Sequence, residues 1–249
     1  MHALSTVVNF IVKEYLYDVS ARELFGFLSQ EELISLSQND VGIFDLAKKI
    51  IERMSLKCND RFTYIGHIEE FSRSAQNTEI SLDEGDLRCR VSLGKNGSSQ
   101  FDCLLREMDI SEVKRVILDL RGNGGGLVDE TLKLSKYFLT TSTEFFYFEN
   151  RNGRRSNIST RQLIPGRLSG FPLRILIDRR TASMAEVMAG CLRRNNDDVI
   201  VCGENSLGKN ILQSEFVMPS QSLILLLSAD RWFFPDGKSV GDVGITPDI

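Results

Sequence analysis

A serine and a lysine, 26 positions apart, are the side chains of this sequence best suited to chemistry. Ser183 lies in Thr-Ala-Ser-Met-Ala-Glu and Lys209 in Ser-Leu-Gly-Lys-Asn-Ile-Leu-Gln, and each follows an apolar run typical of a strand. A serine that attacks a carbonyl carbon needs a base to take its proton. The chain has only two histidines, His2 and His67, and neither is near a serine that is flanked by glycines. Lysine is therefore the candidate base, and the pair predicts acyl transfer.

A glycine cluster at residues 122–126 could supply the second part of such a site. It follows the apolar run Val-Ile-Leu-Asp-Leu and precedes a helical pattern. Glycines let backbone N–H groups approach a ligand closely, and N–H groups at a helix start can hold an anion or a developing oxyanion. A plain strand-to-helix turn is the alternative. A dinucleotide fingerprint is excluded, because it requires glycine where Leu127 stands.

Ser183 and Lys209 also have interpretations that involve no catalysis. Ser183 could be a helix N-cap, which stabilises a helix by about 1 kcal/mol, and Lys209 could be a solvated loop lysine. The segment 203–209 also matches most of a phosphate-binding loop, which predicts nucleotide binding. That loop needs Ser or Thr after the lysine and a helix beyond it, whereas Asn210 follows here and residues 211–218 have the pattern of a strand.

The elements that must position these residues are predicted from the spacing of apolar side chains. Residues 1–75 have helical spacing and form a predicted helical N-terminal region, and a polar, glycine-containing stretch follows. Residues 76–249 form the predicted α/β core, because short apolar strands alternate with helices after residue 100. The predicted strands are 115–120, 145–148, 173–177, 199–202, 212–218 and 222–228, and the predicted helices are 101–108, 127–138 and 182–194.

Composition narrows the classes of function. A net charge of -4 disfavours nucleic acid or anionic lipid as a partner. The five cysteines are an odd number without a C-x-x-C pair, so neither a zinc site nor a disulfide framework is predicted. We expect no metal and no cofactor. The N-terminus lacks the basic leader of a signal peptide and no run is long enough to span a membrane, which predicts a cytoplasmic protein unless a leader was removed.

Four motifs, in this order, resemble the serine-lysine C-terminal processing proteases, also called tail-specific proteases. That family shares the core fold of the ClpP and crotonase superfamily. The matching segments are Asp-Leu-Arg-Gly-Asn-Gly-Gly-Gly, Thr-Ala-Ser-Met-Ala-Glu, Gly-Glu-Asn-Ser-Leu-Gly-Lys-Asn-Ile-Leu-Gln and Phe-Phe-Pro-Asp-Gly-Lys-Ser-Val-Gly-Asp-Val-Gly-Ile-Thr-Pro-Asp-Ile.

The resemblance implies a role for each matching residue. Aligned on Glu186, the nucleophile of the family falls on Ser183, with Thr181 and Ala185 replacing two flanking serines. The general base falls on Lys209, and the glutamine that orients it falls on Gln213. Such a dyad works only if desolvation lowers the pKa of the lysine from its ordinary value of about 10.4.

The family's oxyanion donors also have counterparts here. One is the backbone N–H after the nucleophile, which is that of Met184. The other comes from the glycine turn, at Gly125 or alternatively Gly126.

The implied function is that of a serine endopeptidase that hydrolyses peptide bonds through an acyl-enzyme, at protein or peptide C-terminal regions. Family members usually carry a PDZ domain that recognises the substrate's C-terminus, but the stretch from Ile68 to Arg115 is too short for one. A non-catalytic module that binds a peptide or hydrophobic ligand is the alternative, because the core also resembles that of the interphotoreceptor retinoid-binding protein. The sequence does not predict the natural substrate or the oligomeric state.

Overall fold

The computed structural model describes residues 2–33, 42–68, 77–218, 222–241 and 243–249. Helices come first along the described chain, and helices and strands are interspersed from Gly97 onward, as predicted for the residues after 100. The helices are α1 (His2–Glu14), α2 (Ala21–Phe25), α3 (Ile43–Cys58), α4 (Gly97–Glu107), α5 (Val128–Ser135) and α6 (Met184–Asn195). The strands are β1 (Tyr64–His67), β2 (Glu79–Asp83), β3 (Asp86–Arg90), β4 (Arg115–Asp119), β5 (Glu144–Asn150), β6 (Arg155–Ser159), β7 (Leu173–Ile177), β8 (Ile200–Gly203), β9 (Ile211–Met218) and β10 (Leu223–Phe233).

The chain divides into two compact units. The first contains Met1–Ser74, Glu149–Arg155 and Ile211–Arg231, and the second contains the remaining segments, Ala75–Phe148, Ser156–Asn210 and Trp232–Ile249. The predicted boundary between residues 75 and 76 lies outside the described residues. No described helix combines the length and hydrophobicity needed to cross a membrane.

In the described part of the first unit, three helices pack with an antiparallel sheet. In α1 the buried side chains Leu4, Val7, Val8 and Ile11 recur three or four positions apart, so they form one apolar stripe. Strand β10 pairs with β1 on one side and β9 on the other. The N-terminal helices agree with the sequence prediction, whereas β1 was not predicted, because four residues are too few to show a period.

The second unit is built on a sheet with the strand order β2-β3-β4-β7-β8. Strands β3, β4, β7 and β8 are parallel, and β2 pairs antiparallel with β3 at one edge. Parallel neighbours need crossover connections, and α4, α5 and α6 lie in those connections. Strands β4 and β7 pair up to Asp119 and Leu176, so both end at the same edge of the sheet. The turns that follow them carry the glycine cluster and Ser183, at the edge where parallel sheets commonly bind ligands.

Candidate active site

Ser183 lies in a strained turn between β7 and α6. Its backbone has φ 56° and ψ -123°, a left-handed conformation that is rare for any residue except glycine. Ser183 is the N-cap residue of α6, and Glu186 accepts from its N–H as in a capping box. A residue that only caps a helix usually has an extended backbone, so capping alone does not account for this conformation. Strain persists where surrounding contacts impose it, and a strained turn from strand to helix is one way to present a nucleophilic serine.

Asp178 and Thr181 hold this turn against the glycine turn. Asp178 Oδ1 accepts hydrogen bonds from the N–H of Gly122 at 2.8 Å and of Thr181 at 3.1 Å. The hydroxyl of Thr181 donates to the carbonyl of Leu120 at 2.8 Å. Burial raises the pKa of Asp178, but the backbone N–H groups of Gly122 and Arg180 outweigh it, and the net pKa is lowered. The carboxylate thus joins the ends of two parallel strands.

The glycine turn lies directly against the nucleophile. Gly125 has φ 96°, and a Cβ placed on it would lie 2.8 Å from Ala182 O, 2.9 Å from Met184 N and 2.9 Å from Ser183 Cβ. Real Cβ atoms do not approach other atoms so closely, so a side chain here would displace the serine turn. Gly125 is therefore required both by its conformation and by its neighbours.

The backbone N–H groups predicted to stabilise the oxyanion differ in whether they already donate a hydrogen bond. Met184 N–H stands in the first turn of α6, where it has no intrahelical acceptor, and it has no partner among the described residues. The N–H of Gly125 donates to Asn123 Oδ1 at 3.0 Å. The N–H of Gly126 has no partner in the described part of the chain. Met184 and Gly125 are brought together beside Ser183, and the assignment of the glycine donor stays a prediction.

Glu186 connects the backbone of the predicted nucleophile with that of the predicted base. Its carboxylate is fully buried. Oε2 accepts from Ser183 N at 2.7 Å and from Lys209 N at 2.9 Å, while Oε1 accepts from Ser206 Oγ at 2.6 Å and Gly208 N at 2.7 Å. Sequence reasoning used Glu186 only to align the motif. The signal in the sequence that could have identified its role is an acidic residue among the apolar positions of a helix that is buried on all sides.

Lys209 follows a loop that the same hydrogen bonds fix in place. Its residue is half-buried, and its carbonyl accepts from the indole Nε1 of the buried Trp232 at 2.9 Å. The chain then enters β9, a strand, as predicted. A phosphate-binding loop leads into a helix, so this geometry does not support the nucleotide interpretation of residues 203–209.

Gln213 belongs to the first unit, whereas Ser183 and Lys209 belong to the second. Gln213 is half-buried on β9 opposite Ser228 of β10, and its Nε2 donates to the carbonyl of Phe62 at 2.6 Å. Its role beside Lys209 stays a prediction.

A buried carboxylate organises the surroundings of Gln213 within the first unit. Asp60 accepts from the Tyr15 hydroxyl at 2.9 Å, the Thr63 hydroxyl at 2.5 Å, the Ser228 hydroxyl at 3.0 Å and the Phe62 N–H at 2.9 Å. Burial, followed by the charge of Asp60, raises the pKa of Tyr15 well above its ordinary value. These bonds fix the turn whose Phe62 carbonyl holds Gln213.

A second carboxylate, Asp119, ends β4 just before the glycine turn. Its side chain is 3% exposed, and Arg121 and Arg90 contact it at 2.7 and 3.2 Å. Burial alone raises the pKa of Asp119, but the hydrogen bonds from Arg121, with a further one from Arg90, lower it to about 2. Asp119 therefore stays ionised and anchors Arg121 at the start of the turn.

Sequence comparison supports the resemblance. Residues 61–249 match Peptidase family S41. The carboxy-terminal processing protease CtpB of Bacillus subtilis is 28% identical over 152 residues, which are 61% of this chain and 31% of that protein. The chloroplastic carboxyl-terminal-processing peptidase 3 of Arabidopsis thaliana is 30% identical over 160 residues, 64% of this chain and 30% of that protein. The chain thus spans under a third of the length of these two relatives.

Structural comparison supports the predicted fold. The photosystem II D1 C-terminal processing protease aligns with a TM-score of 0.65 and 15% identity, covering 99% of this chain and 91% of the other. A lipoprotein from Streptococcus agalactiae aligns with a TM-score of 0.71 and 18% identity, covering 99% and 90%. At such low identity these likenesses show the fold alone, and they confirm the predicted protease-like α/β core with its N-terminal helices.

Proposed function

Because this chain belongs to peptidase family S41, we propose that it hydrolyses peptide bonds through a Ser183–Lys209 dyad and an acyl-enzyme. The family is one of serine-type peptidases, which implies a peptide or protein substrate. The observation that carries the proposal is the left-handed backbone of Ser183 held against Gly125. The Glu186 carboxylate, which accepts from the N–H groups of both Ser183 and Lys209, supports it.

In the proposed reaction, neutral Lys209 takes the proton of Ser183 Oγ as that oxygen attacks the scissile carbonyl carbon. The N–H of Met184 and an N–H of the glycine turn stabilise the oxyanion. The carbon–nitrogen bond then breaks, and the Lys209 ammonium protonates the leaving amine. Water, deprotonated by Lys209, hydrolyses the resulting ester and restores the serine. The resemblance assigns Gln213 the task of orienting Lys209.

The proposed substrates are C-terminal regions of proteins or peptides. The similar proteins are named C-terminal processing enzymes. That name describes those proteins, and for this chain the preference for C-terminal regions is part of the proposal.

The proposal predicts that Ser183→Ala and Lys209→Ala each abolish cleavage of an unfolded protein or of a peptide with an apolar C-terminus. Loss of either member of a catalytic unit typically costs several orders of magnitude in rate. Products are identified by mass spectrometry, and circular dichroism checks that the fold is retained. The matched controls are Ser111→Ala and Lys114→Ala, at exposed positions of the second unit, which we expect to cleave like the unsubstituted protein. Cleavage at full rate by Ser183→Ala would disprove the dyad.

A fluorophosphonate probe separates the peptidase from the non-catalytic binding module. An activated serine forms a covalent phosphonate ester with loss of fluoride, so the peptidase predicts an adduct on Ser183 that is absent in Lys209→Ala. A binding module predicts no adduct together with measurable binding of a peptide or apolar ligand.

A further inference from the structure

The second unit contains a cavity of about 720 Å³ that the reaction does not use. Helix α4, the C-terminal end of α5 and the segment 162–167 surround it. Four cationic side chains line it against one carboxylate. These are Arg106, Lys133, Lys136 and Arg167, with Asp102 as the anion.

The carboxylates near the cavity already have partners. Asp102 accepts from the Tyr137 hydroxyl at 2.6 Å and pairs with Arg106 at 2.8 Å. The hydrogen bond from Tyr137 lowers the pKa of Asp102, so it is ionised at neutral pH. Lys133 pairs with Glu130 at 2.9 Å. Asp129 is a third anion here, since its charge also raises the pKa of Lys133. Four cations against three anions leave one positive charge in excess, in a chain whose net charge is -4.

Arg167 and Lys136 are the cations of this lining without an ion pair in the described chain. The guanidinium of Arg167 donates to the carbonyls of Leu105 at 2.7 Å and Met108 at 3.3 Å, which are neutral acceptors. Lys136 is half-buried and has no ion pair within the described residues. The charge of Asp102 acts on Arg167 as well, so a carboxylate that entered the cavity would meet Lys136 as the cation without a carboxylate partner in the described chain.

The rest of the lining fits a polypeptide. Ile164 is 77% exposed and Leu163, its neighbour in the chain, is fully exposed, so an apolar edge borders the charged groups. Gln162 donates through Nε2 to the carbonyl of Leu139 at 2.6 Å, whereas its Oε1 is buried without a partner in the described chain. A buried amide oxygen without a donor is costly, and a peptide N–H would satisfy it once Gln162 turned toward the cavity.

We propose that this cavity binds an acidic segment of the peptide or protein substrate, at a distance from the scissile bond. Helix α5 links the cavity to the glycine turn, because it begins at Val128, two residues after Gly126, and Lys136 follows its last residue. That length is about 12 Å along the helix axis, which about four extended peptide residues span. An excess of only one positive charge suits a short acidic peptide better than an anionic membrane or a long polyanion. The inference rests on the proposed peptidase function.

The test uses the full chain carrying Ser183→Ala, so binding is measured without catalysis. The probes are an apolar peptide that contains a pair of glutamates and the same peptide with glutamines. Cys103 lines the cavity and is exposed, whereas the half-buried Cys202 lies on β8 and serves as the internal reference. Alkylation of each thiol is followed by mass spectrometry. We expect the acidic peptide to slow alkylation of Cys103 but not of Cys202, and the neutral peptide to slow neither.

Lys136→Gln should weaken binding of the acidic peptide about fivefold, as for a partly exposed ion pair, and salt should have a similar effect. Lys114→Gln, outside the cavity, should leave binding unchanged. The proposal would be overturned if both peptides protected Cys103 equally, or if Lys136→Gln and Lys114→Gln weakened binding equally. Protection of Cys103 by inorganic phosphate or anionic vesicles at the same charge concentration would overturn it as well. Cleavage of the neutral peptide by the unsubstituted protein reports the peptidase function separately, so the two failures are distinguishable.

Discussion

At the scale of single residues, Gly125 determines how closely the glycine turn approaches Ser183. We expect Gly125→Ala to lower kcat/KM at least about 100-fold, because the added Cβ falls within 3 Å of three atoms of the serine turn and displaces an oxyanion donor. The left-handed backbone adds a stability loss of about 1 kcal/mol. Steady-state kinetics and thermal unfolding measure the two effects.

Gly124 provides the matched control within the same turn. A Cβ on Gly124 meets no atom within 4 Å, and its φ is not in the left-handed region. Gly124→Ala should therefore retain activity close to that of the unsubstituted protein. If both alanine variants lost activity equally, the close approach of Gly125 would not be the reason.

These residues could be identified from the sequence because the patterns that indicate their chemistry are local. Ser183, Lys209 and the glycines each lie in a short motif with a defined order. Three of the four bonds of Glu186 could not be predicted, because Ser206, Gly208 and Lys209 are more than 19 positions away from it along the chain. The strained backbone of Ser183 could not be predicted either, because a serine before a helix predicts an ordinary N-cap.

At the scale of elements, Glu186 fastens the start of α6 to the loop before β9. We expect Glu186→Gln to lower kcat more than about tenfold while KM changes little, because both reacting residues lose a backbone anchor but peptide contacts remain. An amide has one acceptor oxygen, so at least one of the four donors faces an NH₂ group, which destabilises the protein by about 2 kcal/mol.

Glu186→Asp and an exposed control separate positioning from general instability. The shorter carboxylate keeps its charge and acceptors but shifts their position, so we expect activity between those of the parent and of Glu186→Gln. Glu112→Gln, at an exposed site before β4, should change neither kcat nor stability. A Glu186→Gln variant with normal kcat and reduced stability would show that the carboxylate is only structural.

Elements with a buried face were predictable, and elements without one were not. Strands β4 and β7 were predicted within one residue because most of their positions are buried and apolar. Strands β2 and β6 alternate between half-buried and exposed positions and contain polar residues, so they show little hydrophobic signal. Their pairing partners, rather than their own composition, make them strands.

At the scale of the whole molecule, carboxylates buried in the second unit link stability to pH. Asp119 has a folded-state pKa of about 2 against an ordinary value of 3.8, and the pKa values of Asp178 and Glu130 are lowered too, against the opposing effect of burial. A carboxyl whose pKa is lower in the folded state stabilises the protein above its unfolded-state pKa, and this contribution disappears as the pH falls through the folded-state pKa. The contribution of Asp230 to the pH dependence of stability has the opposite sign, because burial raises its pKa.

The free energy of unfolding should therefore be nearly constant from pH 7 to about pH 5 and fall steeply between about pH 5 and pH 2. Asp119 alone contributes about 2 kcal/mol to this fall. In Asp119→Asn the stability at pH 7 should drop by that amount and the acid slope should become shallower, because one of the titrating groups is gone. Urea unfolding at a series of pH values measures both quantities. Asp83→Asn, at an exposed position of β2, should leave the curve unchanged, and an Asp119→Asn curve parallel to that of the parent would show that the arginines around Asp119 do not couple its ionisation to folding.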